Sequence, residues 1–130
     1  MNSTFKDITL LLFRLAAGCG MLIGHGWGKL SRYLADGEIS FSDPIGLGQE
    51  ASFVLVLFAE VLCAAFVAIG LFTRLATIPL IITMLVVIFA VQLGNPFNKL
   101  ELPLLYLAGF LLILAYGPGR YSLDGVRNKL

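Results

Sequence analysis

Apolar positions in this chain come in long unbroken runs instead of alternating with polar ones. Leu75–Asn98 carries no charged residue over 24 positions, and Leu102–Gly119 carries none over 18. Ala51–Ala59 and Val61–Thr73 are also uncharged, with Glu60 between them, and Ile8–Gly24 is interrupted only by Arg14. A helix needs about 20 mostly apolar residues to cross the ~30 Å hydrocarbon layer of a bilayer. The runs therefore predict four spanning helices at about residues 8–28, 51–72, 75–93 and 102–116, the last with a start as early as Phe97. They are rich in Leu and Ala and lack the period-two alternation of a spanning strand. A helix also satisfies its own backbone hydrogen bonds, which lipid cannot do for it.

The punctuation agrees with this division. Gly26 and Gly28 loosen the end of the first run, and Asp36-Gly37 and Asp43-Pro44 read as turns in a polar connection from Ser31 to Glu50. Thr73 and Arg74 alone separate the second and third runs, which predicts a tight antiparallel hairpin. Gly94-Asn95-Pro96 ends the third run and Gly117-Pro118-Gly119 the fourth, while Pro103 is read as lying near a helix start, where its missing N–H costs little. Pro79 falls in the first turns of the third run. The expected architecture is an all-α, membrane-spanning four-helix bundle formed as one domain over residues 1–130.

Composition narrows the function classes. Apolar residues make up 58% of the chain and charged residues 13%, with a mean hydropathy of +0.92. A soluble domain carries roughly 45–50% apolar and about 25% charged residues, so the charges here are too few to cover a water-facing surface. The apolar excess excludes disorder. A net charge of +1 without a basic block speaks against nucleic acid as a partner. Both cysteines, Cys19 and Cys63, sit inside apolar runs with no CxxC spacing and are expected to be small hydrophobes. The first run resembles a signal peptide in outline, but Arg14 interrupts it and the apolar pattern continues past Cys19 to Ile23. The lipid bilayer is thus the first expected partner. Four spans put both termini on one side with Lys6, Arg74, Arg120, Arg127 and Lys129, against Lys29, Arg32 and Lys99 on the other. The positive-inside rule then places both termini in the cytoplasm.

Arg14 and Glu60 are the charges that fall inside the expected hydrocarbon layer. Each costs at least ~2.5–3.5 kcal/mol there, so it turns inward and finds a partner. Their depths on antiparallel spans permit an Arg14–Glu60 pair. Two uses of it stay open: a static salt bridge that locks two helices, or a proton-handling or ligand-binding pair. Arg14, Gly18, Met21 and His25 recur at spacings of 4, 3 and 4 and share a helix face, which is expected to line the bundle interior. One histidine without a second ligand is weak support for haem or a metal, and no metal site is expected. His25 is either an interfacial polar residue or a hydrogen-bonding group for a polar head such as a quinone's. Gln92, Asn95, Asn98, Lys99 and Glu101 fall around the ends of the third and fourth runs. No phosphate loop, nucleotide fingerprint or hydrolytic triad is present.

With these residues in place, the chain resembles the DoxX family of small bacterial membrane proteins. The matching pieces are Phe13-Arg14-Leu15, His25-Gly26-Trp27-Gly28-Lys29-Leu30, Phe58-Ala59-Glu60 and Gly70-Leu71-Phe72-Thr73-Arg74. They continue with Glu101 ahead of Leu104-Leu105-Tyr106-Leu107, and with Gly117-Pro118-Gly119-Arg120-Tyr121-Ser122-Leu123-Asp124. Gly28 departs from the family, which more often carries Gln there. The resemblance implies a four-helix bundle in the bacterial inner membrane and a link to quinone-dependent oxidation. The family is named for a subunit associated with a terminal quinol oxidase, and related proteins belong to thiosulfate:quinone oxidoreductases. It also implies Arg14, His25, Glu60, Arg74 and Glu101 as site residues, a quinone as the cofactor not carried by the chain itself, and a protein partner or homo-oligomer. Whether the chain is itself an enzyme stays open. The alternatives are a non-catalytic membrane scaffold or partner subunit and, further off, a conduit for protons or a small solute.

Overall fold

Each apolar run becomes a helix, and the breaks between them fall where glycine or proline stops the backbone ladder. The computed structural model describes residues 3–36 and 46–127. Helix α1 runs as Ser3–Met21, a π-helical turn Leu22–Gly26, and Trp27–Asp36. Helix α2 runs as Gln49–Leu57, a π turn Phe58–Cys63, and Ala64–Ile69. Helix α3 comprises Thr73–Val86 and a π turn Val87–Val91; α4 is Phe97–Tyr116 and a short α5 is Leu123–Arg127. The first four are each long and apolar enough to cross a membrane. Among the described residues there is no strand, so the fold is an all-α bundle of four spanning helices.

Several boundaries differ from the sequence reading. Gly26 and Gly28 do not end α1, because a π turn carries the helix through them to Asp36. Ser31–Asp36 are therefore helical, not part of a polar connection, and Gln49 and Glu50 already belong to α2. The turns expected at Asp36-Gly37 and Asp43-Pro44 involve Gly37, Asp43 and Pro44, which lie outside the described residues. The α2–α3 hairpin is made by Gly70–Phe72, with Gly70 left-handed at φ 75°. Thr73 and Arg74 are the first residues of α3. Helix α4 does start at Phe97, which puts Pro103 beyond the first turn and leaves the Lys99 carbonyl without its helical donor.

Helix α1 packs on α2 and α4, and α3 closes the square against the same two. Met21, Val67, Leu80, Phe110 and Ile113 form the shared core, each at most 1% exposed. Two glycines set the α1–α2 distance. A Cβ on Gly18 would lie 2.7 Å from the Ala64 carbonyl oxygen, and one on Gly26 2.6 Å from that of Glu60. Both clashes are with backbone, which cannot step aside, so only glycine lets the helices approach this closely.

The end of the bundle where α1 begins and α4 ends is held by side chains that cap helices other than their own. Arg14, 2% exposed, does not meet Glu60. Its Nε donates to the Val67 carbonyl at 2.8 Å and its Nη2 to Ala68 at 3.2 Å, both in the last turn of α2. The same guanidinium donates to Pro118 at 2.7 Å and Tyr121 at 3.1 Å, pinning the segment after α4. Depth alone suggested the Arg14–Glu60 pair. What decides otherwise is that the last carbonyls of a helix have no intrahelical donor, and five guanidinium N–H groups satisfy several at once. Arg74 does the same for α4, donating to Leu114 at 3.0 Å and Ala115 at 3.3 Å.

Asp124 is the anionic counterpart. Its carboxylate accepts from the Phe72 amide at 3.0 Å, the Thr73 amide at 2.9 Å and the Thr73 hydroxyl at 2.8 Å, capping the start of α3. Phe72, with φ 46°, is the one described non-glycine residue in the left-handed region. Those bonds, and the Arg127 guanidinium 4.7 Å over its ring, hold it there. Burial pushes the Asp124 carboxyl up, but the bonds from Thr73 and Phe72 and the nearby Arg127 outweigh it and hold the group below its usual value. A carboxyl depressed in the fold contributes stability above its unfolded pKa of about 3.9, and that stability is lost as pH falls through the lower folded value. Asp124→Asn is therefore expected to cost about 1–2 kcal/mol at pH 7. It should also flatten the loss of melting temperature below about pH 4; equal acid sensitivity in both proteins would refute this.

Candidate functional site

The opposite half of the bundle is built differently. There the four helices part around a cavity of about 530 Å³. Its walls are mainly apolar, from Met21, Leu55, Ile82, Val87 and Leu102, and its polar groups are few and convergent. All three π turns border it: Leu22–Gly26 contributes His25, Phe58–Cys63 contributes Glu60, and Val87–Val91 contributes both its end residues. A π turn inserts an extra residue and widens the helix locally, and such turns are frequent at functional sites.

The central polar contact is an ion pair. Lys29 Nζ stands 2.5 Å from Glu60 Oε1, with the two side chains 25% and 5% exposed. Around it stand two groups without such a partner. The His25 ring meets Tyr106 edge-on, with centroids 5.7 Å apart and planes at 85°. Tyr106 in turn stacks on buried Phe110 at 5.8 Å. Neither the imidazole nor the phenol hydroxyl makes a hydrogen bond among the described residues, although both line the cavity. Thr83 also lines it, but its hydroxyl is occupied by the Pro79 carbonyl at 2.8 Å. Gln92, Asn98 and Lys99 add polar groups from the α3–α4 end of the cavity.

The five expected site residues thus separate. His25 and Glu60 line the cavity. Arg14 and Arg74 cap helices at the other end, and Glu101 is exposed and outside the cavity lining. Lys29 and Tyr106 belong to the site and were not among those expected. The first was legible, because Lys29 continues the Arg14–Gly18–Met21–His25 series by one further step of four. Tyr106 falls in the family-like piece Leu104-Leu105-Tyr106-Leu107, but it reaches the site by packing of α4 on α1, which an apolar run does not specify. Cys19 and Cys63 are both free thiols. Among the described residues no group of His, Cys, Asp or Glu is placed to hold a metal ion.

A family model, DoxX, matches residues 9–93. The chain belongs to the DoxX family. With four apolar helices of spanning length, this DoxX protein is a multi-pass membrane protein. No curated protein and no solved structure matches it. The matched range covers α1 from Thr9 onward and all of α2 and α3, and so contains His25, Lys29 and Glu60. Helix α4, with Tyr106, and the capping segment around Asp124 lie beyond it.

Proposed function

We propose that this DoxX protein is the membrane subunit of a quinone-linked oxidoreductase system, and that the cavity seats the quinone head group. The observation that carries the reading is the combination of an apolar chamber in a spanning bundle with His25, Lys29, Glu60 and Tyr106 converging on it. Pockets for small ligands run to roughly 300–1,000 Å³ and pair apolar walls with a few placed polar groups, and about 530 Å³ lies within that range. The residues fit the group chemically: a flat apolar ring is matched by Met21, Val87 and Leu102, and its carbonyl oxygens by donors from His25, Lys29 and Tyr106. A bound quinone supplies two-electron, two-proton redox chemistry. The chain's own part is to bind the head, orient it and offer proton carriers in His25 and the Lys29–Glu60 pair. A separate protein partner exchanges the electrons. In this reading both termini face the cytoplasm of a bacterial inner membrane, and the cavity lies toward the outer face.

The test is a titration of the purified protein in detergent with a short-tailed ubiquinone. Saturable binding is expected, weakened about 2–10-fold by His25→Ala, the loss of one hydrogen bond. The competing reading is a non-catalytic scaffold, favoured by the use of Arg14 and Arg74 as helix caps. It predicts no saturable binding and no effect of His25→Ala.

A further inference from the structure

Resting on that reading, we infer that Tyr106 is the hydrogen-bond donor that fixes the ligand's head group in the cavity, and that Gly20 is the positioning residue that makes room for it. The phenol is restrained on three sides. One face lies on Phe110, with an interplanar angle of 21°, one edge meets His25, and the hydroxyl sits over α1 at Gly20. A Cβ at Gly20 would come within 2.8 Å of that hydroxyl oxygen, with the next ring atom at 3.9 Å. The space left by the missing side chain is thus matched to one oxygen atom. Helices do not need glycine at a position where the neighbour is the tip of a side chain and not backbone, and Gly there is intrinsically unfavourable to the helix.

Tyr106 lines the cavity, and its hydroxyl has no acceptor among the described residues. No buried side-chain nitrogen or oxygen among the described residues lacks a partner, so this unbonded hydroxyl is accessible and free to donate to a bound molecule. The group that completes it is an acceptor oxygen on the ligand, between the His25 edge and the Lys29–Glu60 pair. A neutral carbonyl suits the position, since Glu60 already balances Lys29. The ligand class is therefore a molecule with an apolar ring and a carbonyl oxygen at its edge, the feature a quinone head offers.

A double-mutant cycle tests this, with a ubiquinone carrying one isoprenoid unit as the probe. Tyr106→Phe is expected to weaken binding about 3–10-fold, the loss of one hydrogen bond. Gly20→Ala is expected to weaken it similarly in the Tyr106 protein, by displacing the hydroxyl, and to be neutral in the Tyr106→Phe background, where no oxygen remains to collide. Melting temperatures identify any variant that fails to fold, and Tyr106→Phe, which keeps the ring packing, carries the test alone if Gly20→Ala does. Wild-type binding of the ubiquinone with Tyr106→Phe unchanged, or with Gly20→Ala equally harmful in both backgrounds, overturns the inference and leaves the quinone reading standing. Absence of saturable binding by the wild type removes both.

Discussion

Arg14→Met is expected to destabilise the protein by about 3–5 kcal/mol, the largest loss of any single change at the end of the bundle where α1 begins. The guanidinium serves four carbonyls, at Val67, Ala68, Pro118 and Tyr121. Each bond from a charged donor contributes roughly 1.5–3 kcal/mol. The sum is not realised, because the Pro118 and Tyr121 carbonyls are only part-buried and regain water. Those of Val67 and Ala68 are buried; Val67 keeps the Gly70 amide at 3.2 Å, but methionine supplies no donor in place of the guanidinium. Arg14→Lys recovers part of the loss at most: an ammonium offers three donors from one point, whereas the guanidinium spreads five over a plane. Thermal unfolding in detergent should show a fall of ~10 °C or more for Arg14→Met. Faster tryptic cleavage at Arg120 should accompany it, since Arg14 also pins the segment after α4. A stable variant with an unchanged cleavage rate would show that the cap contributes nothing. Ubiquinone binding at the far cavity should be unaffected in the protein that remains folded.

The sequence made the four helices legible because charge-free length is itself the physical requirement for crossing lipid. The inward face of α1 was legible through Arg14, Gly18 and Met21, which are all buried in the fold. The partner of Arg14 was not. Depth counting compares two charges along the membrane normal, but the terminal carbonyls of α2 carry no mark in the sequence and compete for the same guanidinium. Glu60 shows the reverse case. Its depth was readable, but the π turn Phe58–Cys63 and the run-on of α1 to Asp36 bring Lys29 to it. The π turns change which residues face inward, and nothing in an unbroken apolar run announces an extra residue per turn. Arg74 looked like a loop charge for a related reason: the hairpin closes through Gly70 and a strained Phe72, one step earlier than composition suggests.

Variants of the ion pair in the cavity decide whether it faces the ligand or only joins two helices. Lys29→Met leaves the Glu60 carboxylate, 5% exposed, without its ammonium. Breaking a buried pair from one side costs about 3–5 kcal/mol. Lys29 is one-quarter exposed, so solvent screens part of this and ~2–3 kcal/mol is the expected loss. Glu60→Gln should cost less, on the order of 1 kcal/mol, because the long Lys29 stem can carry its charge outward to water. The double variant Lys29→Met with Glu60→Gln removes both charges and should return to within ~1 kcal/mol of wild type, since a buried pair contributes little over neutral groups of similar size. Stability and ligand binding then part company. If the pair only locks α1 against α2, the double variant regains ubiquinone binding along with stability. If the pair faces the head group, the double variant is stable but still binds weakly, because the donor and the proton carrier have both gone. Unfolding and binding measured on the same four proteins, wild type, two singles and the double, give the two outcomes different signatures. A double variant as unstable as Lys29→Met would instead refute the pairing itself.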